Sequence, residues 1–318
     1  MPNQYKPEGN IIDTVKNREL CSSISGLEAA MTHNITLESI ALLCDSNLDI
    51  HINLGECEGI IRKNDIMYCR DKESIKDIAI LTRVGKPICF KVIGFERRNG
   101  KTVAILSRKV AQQECFENYL VKLKPGDIIP ARVTHIEPFG AFVDIGCGII
   151  SLLSVDCISV SRISHPRDRI SNGMNIMTII KSIDCSTGRI YVTHRELLGT
   201  WEQNAAKFSP GQTVAGIIRS IESYGIFIEL TPNLSGLAEL RDGKDTIPCI
   251  HPGQRAAVYI KSIIPERMKI KLVLIDVYDH TAPPEAIEYF INTDKISHID
   301  IWRYSPSESL RKIETIFC

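Results

Sequence analysis

Residues 136–147 read IEPFGAFVDIGC and residues 221–230 read IESYGIFIEL. Each stretch sets an aromatic, a glycine and then a phenylalanine in one short run: Phe139 and Phe142 in the first, Tyr224 and Phe227 in the second. Phenylalanine neither ionises nor attacks, so the chemistry open to such pairs is stacking. In both runs the apolar residues alternate. Ala141, Val143 and Ile145 interleave with Phe142 and Asp144; Ile226, Ile228 and Leu230 interleave with Phe227 and Glu229. Period two marks a strand with one apolar face and one solvated face. Parity then sets Phe142 and Phe227 beside Asp144 and Glu229, carboxylates expected to face water because they are almost never buried unpaired. A ring on such a face forgoes burial unless something stacks on it. Nucleobases do so, at about 1–3 kcal/mol per base. A ring that merely packs on a neighbouring segment is the competing reading, and recurrence at fixed spacing favours stacking.

Positive side chains accompany the rings. Arg132 lies on the first strand, Arg189 opens the fifth, and Lys269 stands near the matching place in the third repeat; all three have outward parity, as phosphate holders require. The loop SVSRISHPRDR, residues 159–169, adds Arg162, His165, Arg167 and Arg169. It reads either as a basic patch or as a solvated loop with Arg–Asp168 pairs of little energetic weight.

The elements that carry these residues repeat. KPGDIIPARVTHIEPFGAF begins at Lys124 and SPGQTVAGIIRSIESYGIF at Ser209, 85 residues on. NGMNIMTIIKSID from Asn172 is answered by PGQRAAVYIKSII 80 residues later, the shortfall falling in a loop. A weaker copy lies in front, in LDIHINLGECEGIIRKND (48–65) and VGKPICFKVIGFERRNGKTVAILSRK (84–109). In the middle copy five alternating runs fall near 127–137, 140–146, 148–154, 174–184 and 189–195. Five short strands in so few residues suit a small closed barrel of the OB type. The expectation is a mainly β chain of three tandem five-stranded OB-type barrels joined by short helical linkers: a partly helical lead (1–27), a degenerate repeat (28–110), a helical linker (111–123), a repeat (124–196), a second helical linker (197–208), a third repeat (209–277) and a small mixed C-terminal extension (278–318). In that extension Ser305 and Glu308 match a capping box opening a short helix, expected to pack on the third barrel.

KPGDIIPARVTHIEPFGAFVDIG followed by LLS and SIDCSTGRIYVTHRE resembles the RNA-binding repeat of ribosomal protein S-one, and SPGQTVAGIIRSIESYGIFIELTPNLSGLAEL resembles another. The resemblance implies an RNA face of Phe139, Phe142, Asp184 and Arg189 in the second repeat, with Ser154 where the family keeps a histidine. In the third repeat it implies Tyr224, Phe227 and Lys269, with Glu239 at the histidine position, where a carboxylate repels phosphate. The first repeat keeps only His51 at the inner aromatic position, with Leu48 at the outer one and Arg62 at the histidine position. The family reading is a non-catalytic, cytoplasmic protein that binds single-stranded RNA, mRNA in translation, at or near the small ribosomal subunit. It implies no cofactor, no metal, no small-molecule substrate and no membrane. The alternative is a scaffold that docks ribosomal or RNA-processing proteins through degenerate barrels.

Composition narrows the field. Lys+Arg and Asp+Glu both number 38 in 318 residues, which argues against a polybasic protein but permits a local basic groove. No stretch of 18 apolar residues offers a spanning helix, and the first 20 residues lack a secretory layout. Eleven cysteines, scattered from Cys21 to Cys318 without a CxxC, read as small apolar side chains rather than zinc ligands or a disulfide framework. His280, Asp294, His298 and Asp300 form no acid–base or metal spacing, and no phosphate-binding glycine loop is present.

Overall fold

The structure, a computed structural model, describes residues 5–69, 75–184, 186–239, 250–278 and 287–317. His280 lies outside them. Two compact units divide the chain: Met1–Leu123 with Pro130–Arg132 and Asp144–Ile150, and Lys124–Ile129 with Val133–Val143 and Ser151–Cys318.

Helices α1 (Val15–Cys21) and α2 (Ile24–Thr32) come first. Thr14 and Ser23 cap them by accepting from Asn17 N and Gly26 N, the role such hydroxyls fill at helix starts. Strands β1 (Leu37–Cys44), β2 (Ile50–Leu54) and β3 (Cys57–Ile61) follow, then the single-turn helix α3 (Asp77–Leu81), β4 (Pro87–Arg98) and β5 (Lys101–Ser107). They close in the order β1-β2-β3-β5-β4. Alternating Ile50, Ile52 and Leu54 point inward with Ile61, Ile88, Phe90 and Leu106, all buried. Helix α4 (Arg108–Asn118) is capped by Ser107, whose Oγ accepts from Val110 N.

Strands β6 (Ile128–Glu137), β7 (Gly140–Asp144), β8 (Ile150–Ser154), β9 (Asn175–Ile183) and β10 (Ile190–Thr193) form a ring in the order β10-β8-β7-β6-β9. After the short helix α5 (Trp201–Ala205), strands β11 (Thr213–Glu222), β12 (Gly225–Thr231), β13 (Leu234–Glu239), β14 (Arg255–Ile264) and β15 (Lys269–Tyr278) close as β11-β12-β13-β15-β14. Each ring runs first-second-third-fifth-fourth, with the third and fifth strands parallel. That is the OB arrangement, so the chain is mainly β and built of five-stranded barrels, as its alternation implies.

One expectation for the tail fails. Residues 305–317 contain no helix; the tail instead forms the hairpin β16 (Ile301–Arg303) and β17 (Glu314–Ile316). Ser305 does not cap a helix. Its Oγ accepts from Ile313 N at 2.8 Å across the hairpin. Burial supplies the reason: Trp302 and Tyr304, alternating on β16 and just beyond it, pack with Trp201 and the Ile218, Ile226 and Ile260 core of the third barrel.

Candidate nucleic-acid interface

The glycine of each aromatic motif has a steric cause. A Cβ on Gly140 would stand 2.4 Å from the Leu153 carbonyl oxygen, and one on Gly225 would stand 2.7 Å from that of Ala238. The neighbouring strand passes too close for any side chain at that point. Two-residue turns precede both glycines, at Pro138–Phe139 and Ser223–Tyr224, and lift the first aromatic of each pair to the barrel rim.

The two pairs share one geometry. Phe139 and Phe142 meet edge to face at 6.1 Å and 87°; Tyr224 and Phe227 do so at 6.1 Å and 89°. The outer rings are exposed, Phe139 by 54% and Tyr224 by 60%, while Phe142 and Phe227 are half-buried. Phe227 is not part of the third barrel's core cluster, and Phe142 is not among the buried side chains. In the third barrel the register places Ser220, Phe227, Leu237 and Lys271 side by side across four strands. In the second barrel Leu152 and Tyr191 are paired, and the offsets of 85 and 80 add His135 and Phe142 to the same stripe. His135 stands 6.5 Å from Phe142 with its ring tilted by 19°, and its Nε2 lies 2.7 Å from Glu137 Oε1.

Sequence reasoning missed His135, Tyr191 and Lys271. The signal was available. Once a two-residue turn is recognised at Pro138–Phe139, counting back along the hairpin puts residue 135 opposite residue 142. Lys271, rather than Lys269, pairs in register with Leu237 on the aromatic stripe and forms an ion pair with Glu239 at 3.3 Å. The pair partly neutralises the carboxylate that stands at the histidine position. Lys269 is exposed at the start of β15.

The other expected residues scatter. Arg189 is exposed just before β10, with no ion-pair partner among the described residues. Asp184 holds the turn before it: its carboxylate accepts from Ser186 Oγ at 2.6 Å and Thr187 Oγ1 at 2.7 Å, and these bonds keep its pKa well below the usual carboxylate range. Arg132 is half-buried and donates from Nη1 to Asn10 Oδ1 at 3.4 Å. Ser154 is half-buried at the end of β8. In the loop 159–169, Arg162 and Arg167 are exposed, whereas His165 caps the turn at Pro166–Asp168.

Three expectations need correction. Arg169 is not available to phosphate; it is buried and its Nη2 is bonded to Glu229 Oε2. Glu229 itself is not solvated but sealed between Arg169 and Arg219. Asp144 is 1% exposed, its carboxylate accepting from Glu8 N at 2.7 Å, Gly146 N at 2.8 Å and Gly148 N at 3.0 Å. Burial, then the nearby Glu8 charge, push its pKa up to about 7, against the pull of those N–H groups and of Arg108. Strand parity rightly sets both carboxylates off the barrel interior. Distant segments then cover them, and each burial is compensated by donors, as a buried charge requires.

At the matching positions the first barrel has no pair of aromatic rings. His51 sits between Asp45 Oδ2, at 3.2 Å, and Glu58 Oε1. Burial works against its charge, but the bonds to the two carboxylates prevail and raise its pKa. Leu48 occupies a turn with φ +65°, and Arg62 is paired with Glu96.

Residues 122–195 match the family model described as S1 RNA binding domain. The chain is 29% identical over 217 residues to the small ribosomal subunit protein bS1 of Rhizobium meliloti (strain 1021), covering 64% of this chain and 37% of that protein. To bS1 of Staphylococcus aureus (strain COL) it is 31% identical over 208 residues, 62% of this chain and 52% of that one. It thus spans about a third to a half of the length of these relatives. Among solved structures, a multidomain protein with nucleic acid binding domains from Streptococcus pneumoniae TIGR4 aligns at a TM-score of 0.25 and 13% identity, over 76% of this chain and 73% of that one. The similarity to bS1 runs well beyond the matched domain. The chain accordingly resembles bS1 over a stretch that includes residues 122–195, which match the S1 RNA binding domain model.

Proposed function

We propose that this protein binds single-stranded RNA without catalysis, with mRNA in translation as its ligand and the small ribosomal subunit as its place of work. The boundaries 28–110, 124–196 and 209–277 define three S1-type repeats, of which the second carries the main site. Phe139 and Phe142 stack bases while Arg189 and the exposed Arg162 and Arg167 hold phosphates. Tyr224 and Phe227 form a weaker second platform, with Lys269 nearby, because Glu239 tempers the charge on Lys271. The observation that carries the reading is the duplicated edge-to-face aromatic pair with an exposed outer ring, lying in one case inside the matched RNA-binding domain. The bS1 relatives, named as small ribosomal subunit proteins, support the place of work. The bS1 relatives also support a cytoplasmic setting; no described helix is long and apolar enough to cross a membrane.

The test is fluorescence anisotropy with an unstructured RNA of about 12 nucleotides, within the span of one OB barrel. Joint Phe139→Ala and Phe142→Ala substitution is expected to weaken binding by at least tenfold, about 1.4 kcal/mol, and wild-type affinity is expected to fall steeply with salt. Unchanged affinity in the double variant would refute the stacking site. A second reading, a protein-docking scaffold, is favoured for the first barrel by its ion-paired His51 and aliphatic Leu48. Partners retained after ribonuclease treatment, together with negligible RNA affinity, would select it.

A further inference from the structure

The three barrels differ at one place on the face that carries the aromatic pairs. In the third, the register aligns Phe227 on β12 with Leu237 on β13 and Lys271 on β15. In the first it aligns His51 on β2 with Ile60 on β3 and Ile105 on β5. In the second, Leu152 on β8 is aligned with Tyr191 on β10, and the offset of 85 puts Phe142 in the same row. The fifth-strand member of the row is therefore Ile105, Tyr191 or Lys271. Ile105 is 6% exposed and packs with Ile60 and Val103 in a closed apolar cluster. The Lys271 side chain is 44% exposed. Tyr191 is half-buried, and its hydroxyl has no hydrogen-bond partner among the described residues and is reached by solvent.

We propose that this fifth-strand position decides what each barrel holds: Tyr191 is a further base-stacking platform of the second barrel, where Lys271 of the third takes a phosphate. The inference rests on the RNA-binding reading and names a specificity-determining residue within it. A tyrosine sunk for packing alone normally finds a partner for its hydroxyl. Tyr191 keeps its hydroxyl in water, beside its exposed cross-strand neighbour Ser182. Its place suits the base that adjoins the one on Phe142. The two residues stand two strands apart, about 9–10 Å at ordinary strand spacing, with the half-buried, aliphatic Leu152 between them. Arg189, exposed and two residues earlier, has the same parity as Tyr191 and is placed for the phosphate of that base. Ile105, sealed under its own cluster, offers neither a ring nor a charge.

The test uses the full chain and oligouridylate of about 12 nucleotides, read by anisotropy over a series of salt concentrations. Tyr191→Leu keeps an apolar side chain against Leu152 and is expected to retain the wild-type urea midpoint. It should weaken binding about fivefold or more without changing the slope of log affinity against log salt, because stacking releases no counterions. Tyr191→Phe is expected to bind within about twofold of the wild type, since the ring is kept. Lys271→Leu is expected to flatten the slope by about 0.7, the value for one phosphate contact on a single strand. Tyr191→Trp supplies a readout that a packing role would not move: its emission should change when RNA is added. Trp201 and Trp302, 3% and 5% exposed in the third barrel's core, give a constant background. Should Tyr191→Leu unfold the barrel, this reporter decides alone. If Phe142→Ala weakens binding while Tyr191→Leu does not, or if the reporter is silent on RNA that binds, the platform is overturned and the RNA-binding reading stands. Equal losses in Tyr191→Phe and Tyr191→Leu would put the hydroxyl rather than the ring on the RNA and overturn the stacking. An unchanged slope in Lys271→Leu overturns the division of roles between the two barrels. No binding by the wild type removes both the platform and the reading beneath it.

Discussion

Glu229→Gln is the sharpest probe of how the third barrel is held. Glu229 Oε2 accepts from Arg219 Nε at 2.8 Å and from Arg169 Nη2, while Oε1 accepts from Arg219 Nη2 at 3.2 Å. Asp168 Oδ2 lies 3.5 Å from Arg219 Nη1 and brings the group to two positive and two negative charges. Both arginine side chains are 9% exposed and that of Glu229 is 4% exposed. Glutamine keeps the shape and one acceptor oxygen but removes a charge, leaving a guanidinium uncompensated where water cannot reach it. Breaking a buried pair in this way costs about 3–5 kcal/mol. That is a large part of the roughly 5–15 kcal/mol that holds a domain folded. Urea unfolding should therefore show a lower midpoint at an unchanged slope. Replacing Glu229, Arg169 and Arg219 together with leucine should recover most of the loss, because the one charge left, Asp168, is 31% exposed and still accepts from Ser164 N. A loss below about 1 kcal/mol for Glu229→Gln would place it in the range of exposed pairs and refute the burial argument. A gain in RNA affinity without loss of stability would return Arg169 to the phosphate face.

Two further outcomes follow from the tail. His298 lies between Asp127 Oδ1, at 2.7 Å, and Asp300 Oδ1, at 3.2 Å, and the bond to Asp127 leads in raising its pKa above the ordinary imidazole value. A histidine raised on folding contributes stability that is complete below the unfolded pKa of about 6.5 and is lost as pH rises through the folded one. The urea midpoint should therefore fall as pH rises above about 6.5, and His298→Gln should flatten that slope; an unchanged profile would show the contact to be solvated. Trp302→Ala should cost about 3–5 kcal/mol, the range for truncating a buried tryptophan, because Trp302 packs in the third barrel's core beside Tyr304 at 5.6 Å. A loss under about 1 kcal/mol would mean that the hairpin is a loose appendage.

Much of the second barrel was legible in advance. Runs read near 127–137, 140–146, 148–154, 174–184 and 189–195 correspond to strands at 128–137, 140–144, 150–154, 175–183 and 190–193. Alternation and turn residues are local signals, and strand existence follows them. The paired aromatics were legible for the same reason, and His135 would have been, had the two-residue turn been used to count across the hairpin. Ser305 shows the limit of a short motif: its hydroxyl serves Ile313 N, eight residues away, once Trp302 and Tyr304 are drawn into a core.

Local pattern was enough to say that Asp144 and Glu229 leave the barrel interior, since side chains of successive strand residues point to opposite faces. It was silent on what would cover them. Asp144 meets Glu8 N across 136 residues of sequence, and Glu229 meets Arg169 across 60. Period two records which way a side chain points; the neighbour it finds there depends on chain closure over distances that no local rule spans. Strand faces, repeats and paired rings were therefore written in the order of residues, while the fate of each charge on those faces waited on the folded molecule.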